Sequence, residues 1–266
     1  MATARVGVFG GSGFYKFLDD AREEWVETPY GAPSDKVILG TVAGIDVAFL
    51  PRHGRDHRIP PHRINYRANV HAMKALGVEA IFGPSACGSL QPDIHPGEFV
   101  VCDQFVDRTS GRADTFFDGP VVTHVSSAEP YCPILRAHAI AVSKAQGMRV
   151  HESGTCVTIQ GPRFSSAAES RWFTKMGWHV VNMTQYPEAI LARECEIPYV
   201  NISVVTDHDA GLVADGAVPP VTTADVVATF GASLDALRAA LFEMIRTLPD
   251  LSESPARTAL ASARFV

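Results

Sequence analysis

Short apolar, β-branched runs alternate with amphipathic stretches along this chain, and that alternation predicts an α/β fold. Runs at residues 6–9, 36–39, 46–50, 80–83, 98–102, 156–159 and 199–205 read as strands. Helical patterns fall at 63–76, 133–146, 166–176 and 187–195, the first ending at Gly77, a residue type favoured just past a helix. The clearest helix is the last. Val226, Phe230, Leu234, Leu237, Leu241, Met244 and Leu248 recur at helical spacing, Thr222 offers a cap and Pro249 ends the pattern. Residues 211–220 form a Gly- and Pro-bearing loop, long for a plain connection and so a candidate lid or rim. One domain over 1–250 with a tail at 251–266 is expected.

Composition narrows the class. The chain has 266 residues, 46% hydrophobic and 20% charged, an ordinary soluble composition. A net charge of −6 without a Lys/Arg block argues against a nucleic-acid partner. No apolar run reaches membrane-spanning length, so no membrane partner is expected. Met1-Ala2-Thr3-Ala4-Arg5 runs straight into a strand-like segment, so no signal peptide is expected either. The five cysteines have no C-x-x-C spacing and lie in apolar contexts, which fits buried thiols in a reducing cytoplasm.

Candidate chemistry clusters after the strands, where ligands bind in open α/β sheets. Thr206-Asp207-His208-Asp209 follows the last strand. Like charges in one site raise at least one pKa, so this carboxylate pair suits protonation of a leaving group, although an Asp-rich turn reads the same way. Gly10-Gly11-Ser12-Gly13 follows the first strand and resembles an anion-binding turn. Lys16 stands where a dinucleotide fingerprint needs its third glycine, and no Gly-Lys-Ser/Thr follows. Pro51-Arg52-His53-Gly54-Arg55 brings a guanidinium fork suited to phosphate. His53, His57 and His62 lack zinc-motif spacing, so no metal is expected. Ser85-Ala86-Cys87-Gly88-Ser89-Leu90 reads as a small-residue loop, in which Cys87 lacks a neighbouring base for nucleophilic work. Phe164, after Gln160-Gly161-Pro162-Arg163, suits stacking on a flat ring or core packing. Asn182-Met183-Thr184 ends another strand, with Thr184 as an anion donor and Met183 as packing.

Taken in order, these segments resemble the trimeric purine nucleoside phosphorylase family, and within it the members acting on 5'-methylthioadenosine. Asn65-Tyr66-Arg67-Ala68-Asn69, Asp103-Gln104-Phe105, Ala128-Glu129-Pro130 and Glu169 belong to the same set. The resemblance implies a single domain with a central mixed, twisted β-sheet flanked by helices. It implies phosphorolysis of an N-glycosidic bond, with inorganic phosphate as co-substrate and no cofactor. Ser12, Arg52, His53, Ser85, Ala86 and Thr184 match the family's phosphate positions, and Met183 the residue under the ribose. Phe164, Ser165, Asp207 and Asp209 match the base site. His124 matches a residue contributed by a neighbouring subunit, which implies a homotrimer with shared active sites.

The chemistry argues specificity as well. The purine leaves neutral only if N7 gains a proton, which a protonated Asp207 supplies while its other oxygen accepts from a 6-amino group. Free Asp has a pKa of roughly 3.9, so burial, Asp209 or substrate must raise it. Relatives acting on inosine and guanosine carry Asn at the matching position. The resemblance also implies that Val221-Thr222-Thr223-Ala224 matches the stretch at the sugar's 5' end. It lacks the His with which family members that prefer ordinary nucleosides bond the 5'-hydroxyl, and a small residue near Ala224 leaves room for a methylthio group. The competing readings are a 5'-methylthioinosine or general purine nucleoside phosphorylase, a hydrolytic nucleosidase, a Rossmann oxidoreductase and a non-catalytic nucleoside-binding protein.

Overall fold

A computed structural model describes residues 3–10, 18–218 and 223–264, with backbone alone for 223–230 and 232. Ser12 lies outside the described residues, as do Val221 and Thr222, while Ala224 has only its backbone described. The strands are β1 (Val6–Gly10), β2 (Asp19–Glu24), β3 (Val37–Val42), β4 (Ile45–Pro51), β5 (Ala80–Ser89), β6 (Phe99–Val100), β7 (Gln104–Arg108), β8 (Val150–His151), β9 (Thr155–Ile159), β10 (Val180–Asn182) and β11 (Tyr199–His208). The helices are α1 (Tyr66–Ala75), α2 (Pro133–Ala145), α3 (Ala167–Lys175), α4 (Gln185–Glu194), α5 (Ala210–Ala214) and α6 (Thr223–Arg246). The eleven strands among the described residues form one sheet in the order β2-β3-β4-β1-β5-β10-β9-β7, with β11 on β5 and β6, and β8 on β6. Parallel and antiparallel pairs coexist, so the sheet is mixed.

Period-two alternation sorts the side chains onto two faces. Val6 and Val8, Phe82, and Val200, Ile202 and Val204 point to the layer holding Leu135, Leu241 and Met244 of α2 and α6. Phe9, Ile81 and Tyr199 point to the layer holding Tyr66, Met73 and Leu191 of α1 and α4. Helices therefore cover both faces.

β5 organises the centre. On one edge it pairs with β11 from Ile81 to Ser89. On the other it pairs with β1 only as far as Phe82, and with β10 only from Gly88. Between them no described strand occupies that edge. β1 and β4 aim their carboxyl ends into the gap from one side, and the antiparallel β10 aims its own from the other.

Three expectations change. The segment read as a small-residue loop at Ser85-Ala86-Cys87-Gly88-Ser89 is the second half of β5, because pairing with β11 overrides its turn-like composition. Asp207 and His208 lie within β11 rather than on a turn beyond it. A bulge inserts Thr206 between Val205↔Cys87 and Asp207↔Gly88. The expected loop at 211–220 begins as helix α5, with Gly211 buried against Ser170, and residues 219 and 220 fall outside the described set. Residues 251–264 lie against the body: Leu251 and Ala256 are buried, the Leu260 amide donates to Glu196, and Thr123 bridges Arg264.

Candidate active site

A cavity of about 820 Å³ fills the gap along β5. Its lining includes Arg52, His53, Ser85, Ala86, Phe164, Ser165, Met183, Thr184, Asp207 and Asp209, ten of the thirteen positions expected from sequence. They converge because each follows a strand that ends at the gap, or lies in β5 or β11 beside it. His124 sits elsewhere, on an exposed loop whose amide donates to Ala263 O at 2.7 Å.

Arg52 leaves β4 and turns inward. Its Nε and Nη2 donate to the two Glu188 oxygens at 2.6 and 2.8 Å, Nη1 to Pro84 O and Nη2 to Phe9 O. Four of its five N–H groups are therefore engaged within the protein. Burial works against its charge, and Glu188 beside it more than offsets that, so the guanidinium stays charged. Tyr199 donates to the same carboxylate at 2.8 Å. Gly83 makes this possible: a Cβ there would stand 2.0 Å from the Tyr199 hydroxyl oxygen.

His53 stacks on His57 with ring centres 4.1 Å apart, and its Nδ1 lies 2.9 Å from Ile59 O. A carbonyl only accepts, so Nδ1 carries the proton. Burial pulls the ring down to about 4, with Arg52 adding to the effect. At neutral pH the ring is uncharged and its Nε2 is an acceptor, so His53 supplies no second cation. Ser85 Oγ, facing the same region, accepts from Asn182 at 3.1 Å and Asn201 at 3.0 Å.

Successive strand residues point to opposite faces, yet Thr206 and Asp207 both line the cavity. The bulge at Thr206 explains this, since an extra residue re-aims the side chain after it. Thr206 donates to Asp207 Oδ1 at 2.6 Å. Burial pushes the Asp207 carboxyl above its usual range, and Asp209 pushes the same way, against the Thr206 bond. Asp209 Oδ2 and Ser165 Oγ are buried and have no hydrogen-bond partner among the described residues. Phe164 stands at the rim, 78% exposed. Ser85 and Gly88, opposite Asp207, are three strand residues apart, about 10 Å at the usual rise. The phosphate-type and acid ends thus lie a pentose apart.

Several lining or bracing residues lacked a sequence signal. Leu234 and Leu237 of α6 line the cavity, but their spacing matches the helix's core stripe. Arg112 donates to the carbonyls of Gln160 and Met183, both at 3.0 Å, and so ties together the turns carrying Phe164 and Thr184. Gly161, at φ +63°, leaves space for Met183, whose sulfur would sit 2.6 Å from a Cβ there. Cys87 is buried and burial raises its thiol well above the ordinary value, which excludes a ready thiolate nucleophile.

The pattern of the Phosphorylase superfamily matches residues 5–246. The chain belongs to this superfamily. A Mycobacterium tuberculosis protein named S-methyl-5'-thioadenosine phosphorylase is 54% identical over 88% of this chain and 85% of its own length. One of the same name from Thermofilum pendens is 45% identical over 99% of both. A Streptomyces coelicolor protein named purine nucleoside phosphorylase is 49% identical over 94% of this chain and 91% of its own. Among solved structures, an S12T mutant of the adenosine/methylthioadenosine phosphorylase of Schistosoma mansoni, in complex with methylthioadenosine, superposes with a TM-score of 0.90. It is 36% identical, covering 98% of this chain and 99% of that one. A superposition that covers nearly the whole of both chains means that the Schistosoma mansoni structure shares the mixed sheet and helix layers seen here.

Proposed function

We propose that this chain is a pentosyltransferase that splits 5'-methylthioadenosine with inorganic phosphate, giving adenine and 5-methylthioribose-1-phosphate. The observation that carries it is Asp207, a carboxyl raised by burial and placed by the Thr206 bulge in the same cavity as the Arg52–Ser85 end. Phosphate held by Ser85, Ala86, Thr184 and Arg52 offers an oxygen to C1' as the bond to N9 breaks. Its charge stabilises the oxocarbenium-like carbon. Met183 lies under the sugar. Phe164 stacks on the base, and Ser165 Oγ and Asp209 Oδ2 offer it hydrogen bonds. Asp207 protonates N7, so that adenine leaves neutral. Its other oxygen accepts from the 6-amino group, a pairing that a 6-oxopurine lacks.

Leu234 and Leu237 offer apolar surface suited to a methylthio group; the expectation for Ala224 falls on a side chain outside the description. The exposed position of His124, away from its own cavity, supports a homotrimer in which it completes a neighbour's site. Phosphate serves as co-substrate and no cofactor is required. Five unpaired cysteines support a cytoplasmic setting, and among the described residues no helix is long and apolar enough to cross a membrane. The test is base release from 5'-methylthioadenosine, 5'-methylthioinosine, adenosine and inosine, each with and without phosphate. Phosphate-dependent adenine release, fastest from methylthioadenosine, is expected. Phosphate-independent release would make the chain a nucleosidase, and preference for inosine would overturn the reading of the base pocket.

A further inference from the structure

We propose that Asn182 and Asn201 are positioning residues that together aim the Ser85 hydroxyl into the cavity as a dedicated donor to the attacking phosphate. The inference rests on the phosphorolysis reading above and deepens it. Ser85 belongs to β5, Asn182 ends β10 and Asn201 lies in β11, so the two amides reach the hydroxyl from the strands on either side.

Each amide is locked in orientation. Asn201 Nδ2 donates to Gly83 O at 2.8 Å as well as to Ser85 Oγ at 3.0 Å, and its Oδ1 accepts from Ser203 Oγ at 2.8 Å. Asn182 Oδ1 accepts from the Gln185 amide at 3.4 Å and from Thr158 Oγ1 at 3.3 Å, which leaves its Nδ2 for Ser85 at 3.1 Å. Carbonyls only accept and backbone N–H groups only donate, so turning either amide over would break a backbone bond. A hydroxyl has two lone pairs and one proton. Both lone pairs of Ser85 are engaged, and among the described residues nothing accepts its proton. The remaining direction is the cavity that Ser85 lines.

The consequence is chemical. A hydroxyl with both lone pairs filled cannot accept from a P–OH group, so this position recognises an unprotonated oxygen. Asn201, Ser203 and Thr158 are fully buried in strands where apolar residues would pack without needing partners. A network held complete at that depth is high in stakes and fixes one geometry.

The experiment is a double-mutant cycle of Ser85→Ala and Asn201→Ala. KM for phosphate, KM for methylthioadenosine and kcat are measured for each protein, and thermal unfolding is followed alongside. Asn201 does not line the cavity, so any effect on phosphate must pass through another group. Asn201→Ala is expected to raise the phosphate KM about fivefold to tenfold, the scale of one hydrogen bond, with the nucleoside KM within about twofold. In the Ser85→Ala background the same change should add nothing. Asn201→Asp, which turns the donor into an acceptor for the Ser85 proton, should not rescue binding. Equal rises in both KM values, or full additivity in the cycle, would overturn the proposal. Should Asn201→Ala fail to fold, Asn182→Ala runs the same cycle. Asn182 itself lines the cavity, so there the loss of its effect in the Ser85→Ala background decides, and a phosphate KM effect that persists in that background would overturn the proposal. Wild-type base release that ignores phosphate would instead refute the phosphorolysis reading, so the two failures are separable.

Discussion

The two ends of the cavity are built on opposite principles. At the phosphate end most polar groups are already bonded to protein: Arg52 to Glu188 and two carbonyls, Ser85 to two amides, His53 to Ile59 O. At the base end Asp207 is bonded through one oxygen to Thr206, while two other buried polar atoms wait for a partner. Among the described residues Ser165 Oγ and Asp209 Oδ2 have no hydrogen-bond partner, and Phe164 is mostly exposed. The first end needs little rearrangement to meet an anion. The second is completed by the ligand, so its selectivity comes from which purine satisfies it.

Removing the acid breaks the base end most severely. Asp207→Asn should lower kcat/KM on methylthioadenosine about 10²–10⁴-fold, the usual contribution of a positioned acid, and move relative activity toward inosine-type substrates. The pH profile sharpens this. A raised pKa keeps the proton on Asp207 to higher pH, so wild-type activity should fall as pH rises through it, and that limb should vanish in the variant. An unchanged ratio of adenosine to inosine turnover in Asp207→Asn would remove Asp207 from base recognition.

The next largest effect strikes the phosphate end. Glu188 is 1% exposed and is the carboxylate partner of Arg52. Glu188→Gln leaves a buried guanidinium without its countercharge, and such losses cost about 3–5 kcal/mol. Denaturant unfolding should show that loss. A variant as stable as wild type would mean that the ion pair is not what holds Arg52 in place.

The same contrast explains what the sequence made legible. Helix α6 was plain because its stripe runs for six turns, and most cavity-lining positions lie in compact motifs after strands. β2 escaped notice because Asp19-Asp20-Ala21-Arg22-Glu23-Glu24 carries no apolar period and becomes a strand only by pairing at the edge with β3. The direction of the Ser85 proton was also hidden. It depends on Asn182 and Asn201, 97 and 116 residues away in the chain, and no local pattern joins them. Leu234 and Leu237 show the converse limit: a residue facing a cavity and one facing the core leave the same period.

The smallest expected effect tests whether His53 stays neutral at the phosphate end, beside the paired Arg52. His53 falls from an ordinary 6.5 to about 4, first because it is buried and then because Arg52 stands beside it. The shift is a depression, so the neutral ring's contribution to stability is complete above about pH 6.5 and is lost as pH falls toward 4. Across that window the unfolded chain takes up a proton that the folded ring refuses, which bounds the slope at one proton, about 1.4 kcal/mol per pH unit. Unfolding of wild type and His53→Asn should be measured at several pH values through it. The Asn amide retains a donor for Ile59 O but cannot titrate, so wild type should lose stability more steeply. Equal slopes would mean that His53 protonates in the folded protein as easily as in the unfolded chain. The phosphate end would then gain a further positive charge below pH 6.5, and the phosphate KM should fall with it.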